Sequence, residues 1–332
     1  MFTAISKRRG RKDRRDFVGS LLWQSFRHSW LIVITCLFAA ACSKSGENAA
    51  NTAAPPKDEK ADELRAMMPR LERFFSPMGK PASYDWLGAH KEPGQTFEEY
   101  LQSDPTRPTA ERRTLYILPL GESTPRHKKA VDLAADHLAV FYGLPVKRLP
   151  PKKLPTQSDS FRQNKLLNRK QYKTSYILQE ILVPSLPSDA AALIAFTAAD
   201  LFPDETMNFV FGQASFSQRV GVWSLYRLAE RTKDDVFFLR TMKIAVHETG
   251  HMFSIRHCTK YECVMSGTNH LAETDRRPID ACPECTAKIL WANSLDAANR
   301  YEGLAEFARR SGFRTEAAEF TSKAAAVGGS TR

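Results

Sequence analysis

The chain has 332 residues, 42% of them hydrophobic, with 48 Lys and Arg against 37 Asp and Glu. That length and apolar content suit a folded core and exclude a disordered or fibrous chain. The net charge of +11 is local: residues 1–41 hold eight Lys/Arg and two Asp, the rest carries only about +5, and a nucleic-acid-binding reading loses its support.

Residues 1–42 read as an export leader: a basic KRRGRKDRR, an apolar run from Trp30 to Ala41, then Cys42. The run of twelve residues is short for a membrane-spanning helix. Ala39-Ala40-Ala41 suits signal-peptidase cleavage, and Cys42 suits lipid attachment, although Ala39 stands where such leaders usually carry leucine. The expectation is an exported protein, periplasmic or at the cell surface, held to a membrane by a lipid on Cys42. A single-span anchor is the competing reading, because Leu21–Trp23 lengthen the apolar segment. Arg14-Arg15-Asp16-Phe17-Val18 partly matches a twin-arginine signal, which exports folded chains. Residues 43–61 are small, polar and charged, and predict a flexible tether.

An N-terminal extension, residues 62–112, follows. Within it ELRAMMPRLERFF has helical spacing that Pro69 should shorten or break, and FEEYL at 97–101 predicts a turn or two of helix in a loop-rich stretch. A catalytic domain is expected at 113–300. TLYILPL and AALIAFT read as buried strands, MNFVFGQAS and RVGVWSLYRL as further strands, and residues 126–142 as a helix ended by Gly143. Residues 161–182 read as a polar, then amphipathic helix, and AADLFPDE as a loop. The alternation predicts an α/β sheet packed with helices. Thr232–Asp235 should open the next helix, with Asp234 or Asp235 as its cap. Residues 301–332 should form C-terminal helices hinged at Gly312.

The stretch 247–265, HETGHMFSIRHCTKYECVM, carries the chemistry. His247 and His251 are one helical turn apart, so both imidazoles fall on one face and can share a zinc ion. Glu248 sits beside the first ligand. A zinc-bound water has its pKa lowered to about 7, and this carboxylate can complete its deprotonation. His257 takes the third-ligand place of the H-E-x-x-H-x-x-G-x-x-H pattern, Met265 suits a methionine-containing turn under the site, and Ser254 replaces the glycine. Gly250 inside the helix suggests room near the metal. Cys258, Cys263, Cys282 and Cys285 have the spacing of a four-thiolate structural zinc site, with two disulfides or four free thiols as the alternatives. This second zinc would brace the loop that carries His257 and offset strain at Ser254. His270, and Asp275 with Arg276 and Arg277, read first as surface or salt-bridged residues.

Together these motifs resemble the archaemetzincin family of zinc metalloproteases, closely across residues 247–290 and loosely from 83 to 300. The resemblance implies a metzincin-like mixed β-sheet packed with helices, a zinc-binding active-site helix, and a C-terminal helical subdomain stapled by the four-cysteine zinc. It implies two Zn2+ ions, one catalytic and one structural, and a peptide or protein substrate that lies along MNFVFGQAS as an added strand. A zinc-stabilised peptide-binding module without turnover is the alternative, supported by Ser254. A zinc-ribbon nucleic-acid binder would leave the histidine motif unexplained.

Overall fold

The strand β1, Thr114–Leu120, organises the sheet. The computed structural model describes residues 58–164, 168–229 and 232–328; the leader and residues 43–57 of the predicted tether lie outside the described residues. Side chains of β1 alternate between faces, as a pleated strand requires. Leu115 and Ile117 enter one apolar cluster, while Tyr116, Leu118 and Leu120 enter another. Strand β2 (Val146–Arg148) pairs with β1 in parallel on one side, and β5 (Ala190–Thr197) pairs in parallel on the other. In β5, Ala192, Ile194 and Phe196 face the first cluster, and Leu193 and Ala195 the second. Both faces are covered, which is why the two central strands read as unbroken apolar runs. Strand β8 (Val220–Ser224) adds in parallel, and β7 (Gly212–Ala214) adds antiparallel at the edge, giving the order β2-β1-β5-β8-β7. MNFVFGQAS therefore supplies a strand only at its end, and Val210 makes one isolated bridge to Leu201.

The larger cluster is closed by helices. Helix α4 (Pro125–Tyr142) begins at a Thr124–His127 capping box and ends at Gly143, whose φ of 61° suits glycine. Helix α6 (Asp234–Met252) lies on the same face. The Trp223 indole donates to Ile244 O at 3.0 Å and the Tyr142 hydroxyl to Val246 O at 2.7 Å, which fixes α6 against β8 and α4. Its cap is Lys233, without a side-chain hydrogen bond, and not Asp234 or Asp235. Those two carboxylates stand in the first turn, where they favour the helix dipole.

Four other expectations are corrected. Helix α1 (Glu59–Leu71) begins inside the predicted tether, with Asp58 accepting the Ala61 N–H at 2.9 Å. Pro69 does not break it: the helix runs on to Leu71, and the proline forfeits only the bond of its own missing N–H. Residues 161–182 are not one helix. They form an antiparallel hairpin, β3 (Phe161–Asn164) and β4 (Arg169–Lys173), followed by a single turn (Thr174–Tyr176) and a π-helical stretch, Ile177–Leu182. The predicted loop AADLFPDE contains a strand, β6 (Asp200–Phe202), that pairs with β4. Polar contacts hold this small sheet: Gln171 donates to Asp200 at 2.9 Å, and Arg227 grips the same carboxylate twice at 2.8 Å.

Helices α8 (Pro283–Asn293), α9 (Ala297–Arg310) and α10 (Arg314–Gly328) complete the large cluster, with Gly312 between the last two at φ 86°. A buried Asp280 ties them to the loop between the cysteine pairs. It accepts from Arg300 at 3.2 Å and Lys323 at 3.0 Å. Burial alone would raise its pKa, but these two cations outweigh it and hold the carboxyl below its ordinary value.

Candidate metal centre

The last turns of α6 carry His247, Glu248 and His251, and the chain must then reverse to bring back His257. The reversal is tight: Ser254 N–H bonds to His251 O at 2.9 Å and Ile255 N–H to Gly250 O at 3.0 Å. Ser254 sits at φ 62°, the left-handed conformation that glycine adopts freely and that costs another L-residue about 1–2 kcal/mol. The N-terminal extension meets this cost directly. Thr106 N–H donates to Ser254 Oγ at 3.0 Å, and Tyr100 hydroxyl donates to Phe253 O at 2.8 Å. Gln95 spans the turn, donating to Ser254 O at 3.4 Å and accepting from Arg256 N–H at 3.1 Å. Further along, a main-chain bond from Cys258 N–H to Met265 O at 2.9 Å ties the loop after His257. Gly250 makes room for that methionine: a Cβ there would lie 2.6 Å from Met265 Sδ.

The three imidazoles converge. His247 Nδ1–H donates to Val264 O at 2.9 Å, His251 Nδ1–H to Ile255 O at 2.7 Å, and His257 Nδ1–H to Glu92 at 2.9 Å. That tautomer leaves each Nε2 lone pair free, and Nε2 atoms of His247 and His251 are 3.1 Å apart. One ring nitrogen from each of the three lies within 4.8 Å of the others. Burial pushes the pKa of His247 well down and that of His251 to about 3, so both stay in the neutral, ligating form. Three imidazoles converging on one point fit a catalytic zinc.

Glu248 lines the same cavity and packs on Gly212, where a Cβ would come within 3.3 Å of its Cγ. Burial pushes its carboxyl up to about 8, and a divalent cation beside it would draw that value back down. The cavity measures about 530 Å³ and is walled by edge strand β7 on one side and α6 on the other.

Cys258, Cys263, Cys282 and Cys285 are buried and unlinked, with all four sulfurs within 4.8 Å. Cys258 and Cys282 sulfurs stand 3.6 Å apart, far beyond a disulfide bond. Met265 N–H and Cys282 N–H point to Cys263 Sγ at 3.4 and 3.2 Å, an arrangement that suits thiolate. The four sulfurs fit a closed tetrahedral zinc site.

Glu92 and Trp86 have no signal in the sequence. Both come from the loop-rich extension, over 160 residues before His257, and Trp86 meets the His257 ring edge-on at 5.2 Å. The remaining polar residues are structural. His270 caps the short helix α7 (Leu271–Arg276) by accepting from Glu273 N–H at 3.1 Å and lies 3.2 Å from Asp85. Asp85, His270 and Glu273 cluster, but Arg276 already matches Asp85 and Arg277 already matches Glu273, both at 3.0 Å. Asp275 is held by both arms of Arg240.

A family model described as Peptidase family M54 matches residues 190–290. The chain is 33% identical to Archaemetzincin-2 of Rattus norvegicus over 278 residues, covering 73% of this chain and 77% of that protein. It is 30% identical to Archaemetzincin of Archaeoglobus fulgidus over 175 residues, 53% of this chain and 98% of that one. A crystal structure of archaemetzincin from Methanopyrus kandleri aligns with TM-score 0.47 and 26% identity, over 57% of this chain and 99% of that one.

Replacing Glu92 by alanine leaves His257 without the acceptor that orients it. Zinc retention at the histidine site, measured by competition with a chelator, should weaken about tenfold to a hundredfold; unchanged retention would show that Glu92 does not position the ligand.

Proposed function

The chain belongs to the archaemetzincin family of zinc metallopeptidases, and on that premise we propose that His247, His251 and His257 hold its catalytic zinc while Glu248 serves as general base. The observation that carries this reading is the convergence of three imidazole nitrogens in a cavity that also holds the half-buried Glu248 carboxylate, which makes no hydrogen bond or ion pair among the described residues. Zinc bound there would supply Lewis acidity toward the scissile carbonyl and lower the pKa of water to about 7. Glu248 accepts the proton of the attacking water and delivers it to the leaving amine, so one carboxylate acts as base and then acid. Among the described residues strand β7 is the edge of the sheet and lines the cavity, and an extended peptide can add to it by main-chain hydrogen bonds. Cys258, Cys263, Cys282 and Cys285 hold a second, structural zinc in this reading, for two ions per chain.

Export and lipid attachment at Cys42 are a separate part of the proposal, supported by the composition of residues 1–42 alone. Among the described residues no helix is long and apolar enough to cross a membrane.

Glu248→Gln keeps the shape and removes the base. Peptide turnover should fall by about 100-fold or more with zinc content unchanged; a fully active variant would contradict the assignment. Cys42→Ala should move the protein from the membrane fraction to the soluble exported fraction, and a variant that stays in the membrane fraction would remove the lipid anchor from the account.

A further inference from the structure

The cavity wall mixes two kinds of chemistry: Phe209, Phe211 and Phe216 are apolar, while Lys243, Thr268 and Asn269 are polar. Lys243 precedes His247 by four residues, so it stands on the same helical face, about 6 Å back along the axis. Its environment differs from that of the neighbouring cations. Arg240 is paired with Asp275, Arg276 with Asp85, and Arg277 with Glu262 and Glu273. Among the described residues Lys243 pairs with no carboxylate; its ammonium donates to two backbone oxygens, Thr274 O and Asp275 O, both at 3.1 Å. An ammonium has three donors, so one remains for a ligand. Burial lowers its pKa to about 8, against the pull of Asp275 and Glu316, which leaves it cationic at neutral pH.

A half-buried cation that, among the described residues, no carboxylate contacts directly, in the wall of this cavity, favours an anion. We propose that Lys243 makes this protein prefer a substrate with Asp or Glu next to the scissile bond, the side-chain carboxylate accepting a hydrogen bond from Lys243 Nζ. The inference rests on the peptidase reading and names a substrate class for that same site. The distance suits it: one residue of an extended peptide advances about 3.3 Å, so a side chain flanking the cleaved bond spans the helical turn between His247 and Lys243.

Lys243 also holds the last carbonyls of α7, so its loss could act through loosening of that helix. The test separates the two roles. The zinc-loaded full chain is given a peptide library in which each position around the cleaved bond is scanned with Glu, Gln and Leu. Wild type should prefer Glu to Gln at one flanking position by about tenfold to a hundredfold in kcat/KM, the range of a charge-assisted hydrogen bond. Lys243→Met should abolish that ratio, and Lys243→Arg should keep most of it. The same order should appear in the Kd of the Glu and Gln peptides for a Glu248→Gln background, which binds without cleaving. Loss of turnover on all peptides in Lys243→Met, with the Glu/Gln affinity ratio intact, would assign Lys243 a structural role and overturn the proposal. Cleavage by wild type without acidic preference would overturn it and leave the peptidase reading standing. Absence of cleavage of any peptide would remove both.

Discussion

The catalytic geometry depends on one left-handed residue. Two of the three histidines come free with a helix, because a four-residue interval places them on one face. The third must be returned by a reversal that passes through Ser254 at φ 62°. A serine there is strained, and the strain is met where it arises, by Thr106, Tyr100 and Gln95 from a segment far upstream. The hydroxyl that makes the residue differ from glycine is itself the acceptor for Thr106 N–H. Serine can therefore occupy the turn with its hydroxyl hydrogen-bonded.

The extension does more than close the turn. Glu92 holds His257 by its outer nitrogen, Trp86 packs on the ring edge, and Trp86 N–H is in turn held by Glu273 at 3.1 Å. Glu273 belongs to the segment between the cysteine pairs, so the extension, the third histidine and the four-thiol cluster form one connected unit. Asp280 carries that connection on to the C-terminal helices through Arg300 and Lys323. A buried carboxylate with two cations is costly to disturb, since removing one partner leaves an uncompensated charge.

What the sequence made legible was local. The histidine spacing, the cysteine spacing and the apolar runs of β1 and β5 each encode geometry within a few residues, and each survives into the structure. The failures were of two kinds. The small sheet of β3, β4 and β6 is held by Gln171, Asp200 and Arg227 and has no apolar period to read, although Asn168 at φ 46° marks the β3–β4 turn in a residue type that tolerates that conformation. Glu92, Gln95 and Thr106 act on residues some 150 positions away, and no spacing rule reaches across that gap. Lys243 was visible as a helix residue, but that no carboxylate among the described residues pairs with it appears only once Asp275 is seen to be held by Arg240.

The central claim is that His257, returned by the Ser254 turn, completes a zinc site separate from the four-cysteine one. Metal content per chain, measured on purified wild type and His257→Ala, tests it most directly. Two zinc ions falling to one would agree with the account. One zinc in both proteins, or two in both, would contradict it, the first because the histidine site then holds no metal and the second because His257 then contributes nothing to holding it.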